Sequence, residues 1–183
     1  MIADKDRVGF IGASDTKYVM GNWKTKTFRG WWETKTGEME NTVDNIYTRA
    51  GTAYEPRILD ALGIDERDRQ IVIGRIRVNL DGETDKAVVE IKTYQYLKGW
   101  KMPKHYWQQV QVELFATGKQ VGILYAYGLL PNEYGEYGEV DMDRLTAEII
   151  IRDDDFIEEY LKRANYLGKC LEEGRFPDES EID

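Results

Sequence analysis

The chain has 183 residues, 42% hydrophobic and 32% charged, which suffices for one domain with a real core and is ordinary for a soluble fold. A net charge of −9 argues against a general nucleic-acid binder, and a lone cysteine, Cys170, excludes a disulfide framework and a cysteine-ligated zinc or iron–sulfur centre. No stretch approaches the ~20 apolar residues of a membrane span, and the opening MIADKDRVGF lacks a signal peptide's apolar core, so a cytoplasmic protein with no membrane partner is the expectation.

The charge is uneven. Residues 131–183 hold 17 acids and 6 bases, and residues 1–130 hold 17 acids and 19 bases. The body of the chain is therefore nearly neutral, and its acids are available as ligands.

In chain order, GASDTKYVMG predicts a short helix with Ser14 or Asp15 as its N-cap. RGWWETKTGE predicts a second, ended near Gly37. The stretch VDNIYTRAGTAYEPRILDALG predicts a longer helix closed by Gly63, with Tyr54, Ile58 and Leu62 at i, i+4 spacing. Pro56 sits best in a first turn, so this helix is expected to begin or kink near Tyr54. RQIVIGRIRVNL then reads as one strand, and KAVVEIKTY as its hairpin partner across DGETD. KHYWQQVQVELFATG predicts a helix closed by Gly118. QVGILYAYGL and RLTAEIIIR predict strands, and DDDFIEEYLKRANYLGKCLEEG an amphipathic helix. No repeat or linker divides the chain. The expectation is a single α/β (α+β) domain over residues 1–173, with an acidic, flexible tail over 174–183.

The strand KAVVEIKTY carries Glu90 and Lys92 inside an apolar run, and a charge buried in a strand is costly unless paired or used. Side chains alternate along a strand, so Val88, Glu90 and Lys92 share a face. If the hairpin forms, Asp81 approaches Glu90 near one end of the sheet. Two converging carboxylates repel, a hard divalent cation relieves that repulsion, and a lysine beside it orients or deprotonates a water or stabilises a phosphate. Taken alone, the Glu-x-Lys spacing is more often a structural ion pair.

The neighbours change that balance. RVGFIGASD, GTAYEP, NLDG, VEIKT and HYWQQVQVELFATG occur in this order. The series resembles the YqaJ-type viral recombinase and lambda exonuclease family of the PD-(D/E)xK nucleases, from about Arg7 to about Tyr127. The resemblance implies a restriction-endonuclease-like core, a central mixed β-sheet flanked by helices. It implies metal ligation by Asp81, Glu90 and the carbonyl of Ile91, with Glu55 organising the site or binding through water. Lys92 would be the catalytic lysine and Gln109 the glutamine of the family's helical motif, holding Lys92, a water or a phosphate. Tyr106 shares a narrow helical arc with Gln109 and Glu113 and would contact phosphate or DNA; core packing is its other reading. Arg7 and Ser14 align with 5′-phosphate binders, Ser14 alternatively being a plain N-cap. Lys24, Lys26 and Arg29, with Lys35, surround Trp23, Phe28, Trp31 and Trp32. They could track DNA phosphates while the rings stack on bases, although core or subunit packing suits those rings better. His105, the only histidine, excludes a multi-histidine metal centre.

The implied activity is a Mg²⁺-dependent deoxyribonuclease (Mn²⁺ substituting), working 5′ to 3′ from duplex ends and leaving 3′ single-stranded tails for phage-type recombination. The implied partners are DNA, further copies in a ring-like trimer, and a single-strand annealing or binding protein. A structure-specific or single-strand endonuclease of the same superfamily is the first alternative. A non-catalytic DNA-binding or assembly module is the second.

Overall fold

Capping side chains and glycines set the helix boundaries in the computed structural model, which describes residues 7–40 and 43–182. Residues 1–6, which carry most of the opening stretch tested for a signal peptide, lie outside the described residues, as does Asp183 of the tail. The short α1 (Thr16–Val19) follows a 3₁₀ turn at 13–15. Asp15 is its N-cap, but its carboxylate reaches back to accept from Gly12 N at 2.8 Å. Helix α2 (Lys26–Thr36) starts where Thr25 Oγ1 accepts from Phe28 N, and ends at Gly37, φ 81°. In α3 (Ile46–Leu62), Asn45 Oδ1 accepts from the amides of Tyr47 and Thr48, and Gly63, φ 67°, takes the left-handed C-terminal position.

Helix α3 corrects the sequence reading. It begins ten residues ahead of Pro56 and runs through it. The exposed proline removes one backbone donor, but Ala50, Tyr54, Ile58 and Leu59 form a buried stripe on both sides of it. Tertiary burial and the Asn45 cap outweigh that loss.

The predicted strand RQIVIGRIRVNL is also not one strand. It is a hairpin of β3 (Gln70–Ile73) and β4 (Ile76–Asn79), with Ile73 opposite Ile76. Gly74, φ 60°, and Arg75 form the two-residue turn, which demands a left-handed first residue. β4 also pairs in parallel with β1 (Ile11–Gly12), making a small sheet of order β1-β4-β3. The partner of β6 (Ala87–Gln95) is instead the short β5 (Gly82–Glu83), in a second sheet of order β2-β5-β6-β7-β8. That sheet includes β2 (Glu66–Arg67), β7 (Val121–Leu129) and β8 (Leu145–Ile151). It is mixed, since β6 and β7 run parallel and the other pairs antiparallel. Asp81 lies at the step from one sheet to the other.

Helix α4 (Lys104–Thr117), closed by Gly118, connects β6 to β7 and covers one sheet face with Val110, Val112 and Leu114. Val88, Leu124, Ala126 and Ile150 meet it there. Helix α3 covers the opposite face, against Val89, Ile91, Tyr127 and Leu129. Helix α5 (Asp154–Glu173) starts at Asp153, whose carboxylate accepts from Phe156 N. Its apolar stripe, with Tyr160, Ala164 and Leu167, closes the first core. The same core holds Trp23, Phe28, Trp31 and Trp32, all buried, so these rings are packing groups and not a platform for bases. Among the described residues no helix is long and apolar enough to cross a membrane.

Candidate active site

The alternation of β6 turns Glu90 and Lys92 toward α4. Glu90 is only 2% exposed, and its Oε1 is gripped twice, by Lys92 Nζ at 2.6 Å and by Gln109 Nε2 at 2.7 Å. Gln109 also donates to Glu113 Oε1, at 3.0 Å, one turn along α4. The second oxygens of Glu90 and Glu113 are buried with no hydrogen-bond partner. Gln109 thus holds two carboxylates through its amide nitrogen.

Asp81 is fixed by the backbone of the same strand, its Oδ2 accepting from Ile91 N at 2.8 Å. With Gly82 opposite Val89, the antiparallel register carries Asp81 alongside Glu90. Burial first, then the Glu90 and Glu55 carboxylates, push Asp81 well above the usual carboxylate range. Burial, Glu90 and Asp81 do the same to Glu113. Glu55, half-buried on α3, is raised by burial and by Glu90 and Asp68. Burial works to lower the Lys92 pKa, but Glu90, Asp81 and Glu113 outweigh it and hold the ammonium above its ordinary value. The Lys92 Nζ lies 4.9 Å from the centroid of the Tyr106 ring, which stacks on Trp100.

These groups open on a cleft of about 200 Å³. Asp81, Glu90, Lys92 and Gln109 line one part of it; Arg7, Ser14, Lys35 and Arg77 line another. The fold thus brings Arg7 and Ser14, more than 60 residues earlier in the chain, to Asp81 and to Glu90 of β6. Glu55 interacts electrostatically with the group from α3, and Tyr106 flanks Lys92. Lys24, Lys26 and Arg29 are not in the cleft. They are exposed, and Arg29 lies over the Phe176 ring at 4.5 Å in a separate groove. Lys35, grouped with them by sequence, is buried in an ion pair with Asp15 at 2.6 Å.

Arg77 and Asn79 escaped the sequence reading as cleft residues. Their signal was the same alternation that carries on to Asp81 in RVNLD: residues 77, 79 and 81 all line the cleft. Among the described residues no three His, Cys, Asp or Glu side chains already form a closed metal cage. The donors at hand are nonetheless hard oxygens, with Glu55, Asp81, Glu90 and Glu113 gathered about Lys92, and the bare Glu90 Oε2 lacks the partner that a buried carboxylate oxygen requires. Mg²⁺ suits such a set, since it takes one or two carboxylates and fills its shell with water and phosphate oxygens.

Similar folds are known. The alkaline exonuclease LHK-Exo from Laribacter hongkongensis matches with a TM-score of 0.73 and 21% identity, over 93% of this chain and 92% of that one. Its structure in complex with dAMP matches at 0.72 and 22%, with the same coverage. A phage-related exonuclease from Haemophilus somnus 129PT matches at 0.70 and 14%, over 90% and 94%. At these identities the likeness establishes the fold: a mixed α/β architecture shared with those exonuclease structures. A search of curated proteins found no match. The model of the YqaJ-like viral recombinase domain matches residues 4–120, well over half of the chain and every residue of the cleft described above. The chain belongs to the YqaJ-like viral recombinase domain family.

Proposed function

We propose that the protein is a divalent-metal-dependent deoxyribonuclease that degrades linear duplex DNA from its ends. The observation that carries this reading is Glu90. It is a buried carboxylate with one oxygen held by Lys92 and Gln109 and the other bare, set beside Asp81 at an open cleft. Asp81, Glu90 and the carbonyl of Ile91 would hold Mg²⁺ (Mn²⁺ substituting), with Glu55 reaching it through water. When bound, the ion would supply Lewis acidity at a phosphate oxygen and lower the pKa of a water. Lys92 would activate the metal-bound water or stabilise charge on the phosphate. Gln109 fixes the rotamer of Glu90, and Tyr106 confines Lys92. Arg7 and Ser14 take the 5′-phosphate of the strand end, which gives 5′-to-3′ polarity and 3′ single-stranded tails. The dAMP complex of LHK-Exo supports a deoxynucleotide substrate. Lys24, Lys26 and Arg29 would touch only duplex that lies outside the cleft. A ring-like homotrimer and a single-strand annealing or binding partner belong to the same reading, as does work inside a bacterial or phage-infected cell.

The test is digestion of end-labelled linear duplex and of a covalently closed circle, with Mg²⁺ or with EDTA. Linear duplex is expected to be degraded only with Mg²⁺, and Asp81→Asn and Glu90→Gln to lower the rate by at least about 10²-fold. Rapid cutting of the closed circle would show an endonuclease instead. Undiminished Mg²⁺-dependent degradation by both variants would refute the site.

A further inference from the structure

Between Glu90 of β6 and Glu113 of α4 the chain carries four lysines and no acid, although its net charge is −9. Lys92 lines the cleft. Lys98, Lys101 and Lys104 are exposed, and among the described residues none of the three enters an ion pair. They lie along the connection from β6 to the first turn of α4. Its 3₁₀ turn, Tyr96–Lys98, leaves Tyr96 41% and Leu97 76% exposed.

The tip is held firmly in that exposed position. Tyr96 and Tyr94 pack against Gly128 of β7, where a Cβ would stand 2.5 Å from Tyr96 Cδ2 and 3.0 Å from Tyr94 Cζ. Gly99, φ 74°, closes the turn, its amide donating to the Tyr96 carbonyl. Trp100 packs against Tyr94 and Tyr106, at 5.2 and 6.4 Å, and donates to Glu148 Oε1 at 3.0 Å. Tyr106 is the ring beside Lys92, so the connection is fastened to the edge of the cleft. His105 lies on the same edge. Burial, then Lys17 of α1 and Lys92, push its imidazole below the ordinary value, and no carboxylate opposes them.

We infer that the connection between β6 and α4 is a contact for single-stranded DNA outside the cleft. Lys98, Lys101 and Lys104 take backbone phosphates, and Tyr96 and Leu97 meet the base faces. A single strand fits because its bases are free to lie on an aromatic or apolar tip, whereas a duplex keeps them stacked inside. A tip already fixed by packing loses little freedom on binding. The inference rests on the nuclease reading for the presence of DNA at this edge, and it assigns the contact to a surface that the cleft residues do not form.

The test is fluorescence anisotropy in EDTA with a labelled oligothymidylate of about 15 nucleotides and a duplex of equal length. The wild type is expected to bind the single strand more tightly. Lys98→Glu with Lys101→Glu should weaken that binding about ten-fold or more and flatten its salt dependence. Leu97→Ser should weaken it about three-fold or more. Lys162→Glu with Lys169→Glu, the same charge change on exposed lysines of α5, should change it less than about two-fold. His105, the only histidine, gives a single imidazole NMR signal. Its titration midpoint should rise when the strand binds, because phosphates offset Lys17 and Lys92, and the rise should shrink in Lys98→Glu with Lys101→Glu. The altered side chains are exposed, and unchanged thermal midpoints verify folding. Unchanged affinity in the Lys98 and Lys101 variant, or equal weakening by the α5 variant, overturns the proposal. Tighter wild-type binding of the duplex overturns the single-strand assignment. If the wild type digests no DNA with Mg²⁺, the nuclease reading fails, and binding in EDTA still decides on the connection.

Discussion

Gln109 has two amide hydrogens and places one on each of two buried carboxylates, Glu90 and Glu113. Among the described residues no other donor reaches Glu113 Oε1, and Glu90 would be left to Lys92 alone. Gln109→Ala is therefore expected to lower Mg²⁺-dependent DNA hydrolysis about 10–100-fold, the usual effect of removing a group that orients a metal ligand. Mg²⁺ titration of activity should show a matching rise in half-saturation. A rate within two-fold of wild type would make Gln109 mere packing. Much of this site was legible residue by residue. Period-2 alternation put Glu90 and Lys92 on one face, and the expected hairpin put Asp81 near Glu90, although the strand that pairs with β6 there is the short β5. The Gln109 partners were not legible, because a helix face says where a side chain points and nothing about what the facing strand offers. Nor was the split among the basic residues near the tryptophans. Burying the α2 aromatic stripe leaves Lys24, Lys26 and Arg29 outside, while Lys35 points in to Asp15.

The helix C-termini were legible because they are written locally, as Gly63 and Gly118 show, whereas the Asn45 start of α3 was not, because Pro56 drew the expected start to Tyr54. The strands were less so. Nothing local says that β4 leaves β6 for a second sheet, since that choice depends on β1, more than 60 residues earlier. Another element-level feature that only the fold reveals is the anchor of the connection between β7 and β8. Glu133 accepts from Arg144 and from Leu130 N, and Tyr54 OH of α3 reaches it at 3.3 Å. Both charged side chains are about nine-tenths buried, at 8% and 11% exposure. Hydrogen bonds from Arg144 hold the Glu133 carboxyl below its ordinary 4.5, against the opposing pull of burial. A depressed carboxyl stabilises the fold at pH values above its unfolded pKa, and that contribution is lost as pH falls through the folded one. Glu133→Gln should thus cost about 3 kcal/mol at pH 7. The gap between wild type and variant in urea denaturation should narrow below pH 4.5. A gap that is constant from pH 7 to pH 3 would show that the charge is not what anchors the connection.

Over the whole molecule, the excess of acids lies after residue 130, and the last segment of that stretch packs back onto the fold. Residues 174–182 return from α5 to the aromatic core. Phe176 meets Phe28 and Trp32 edge-on at 6.1 and 6.3 Å, and Pro177 is buried. Arg163, which donates to the carbonyls of Val19 and Gly21, also pairs with Glu179 at 2.8 Å. Tyr166 OH accepts from Asp178 N and donates to Glu181. An acidic tail made only to solubilise or to recruit a partner would bury none of this. Ending the chain after Gly174 should therefore remove about 2–3 kcal/mol, mostly the apolar burial of Phe176 and Pro177, and lower the thermal midpoint by about 5–10 °C. Phe176→Ala alone should reproduce much of the loss, whereas Glu179→Gln with Glu181→Gln should cost under about 1 kcal/mol, because those pairs are partly solvated. Calorimetry on the three variants separates the cases. An unchanged midpoint in the truncated chain would make the tail an appendage, and loss in the glutamine pair alone would make its charges, not its rings, the fastening.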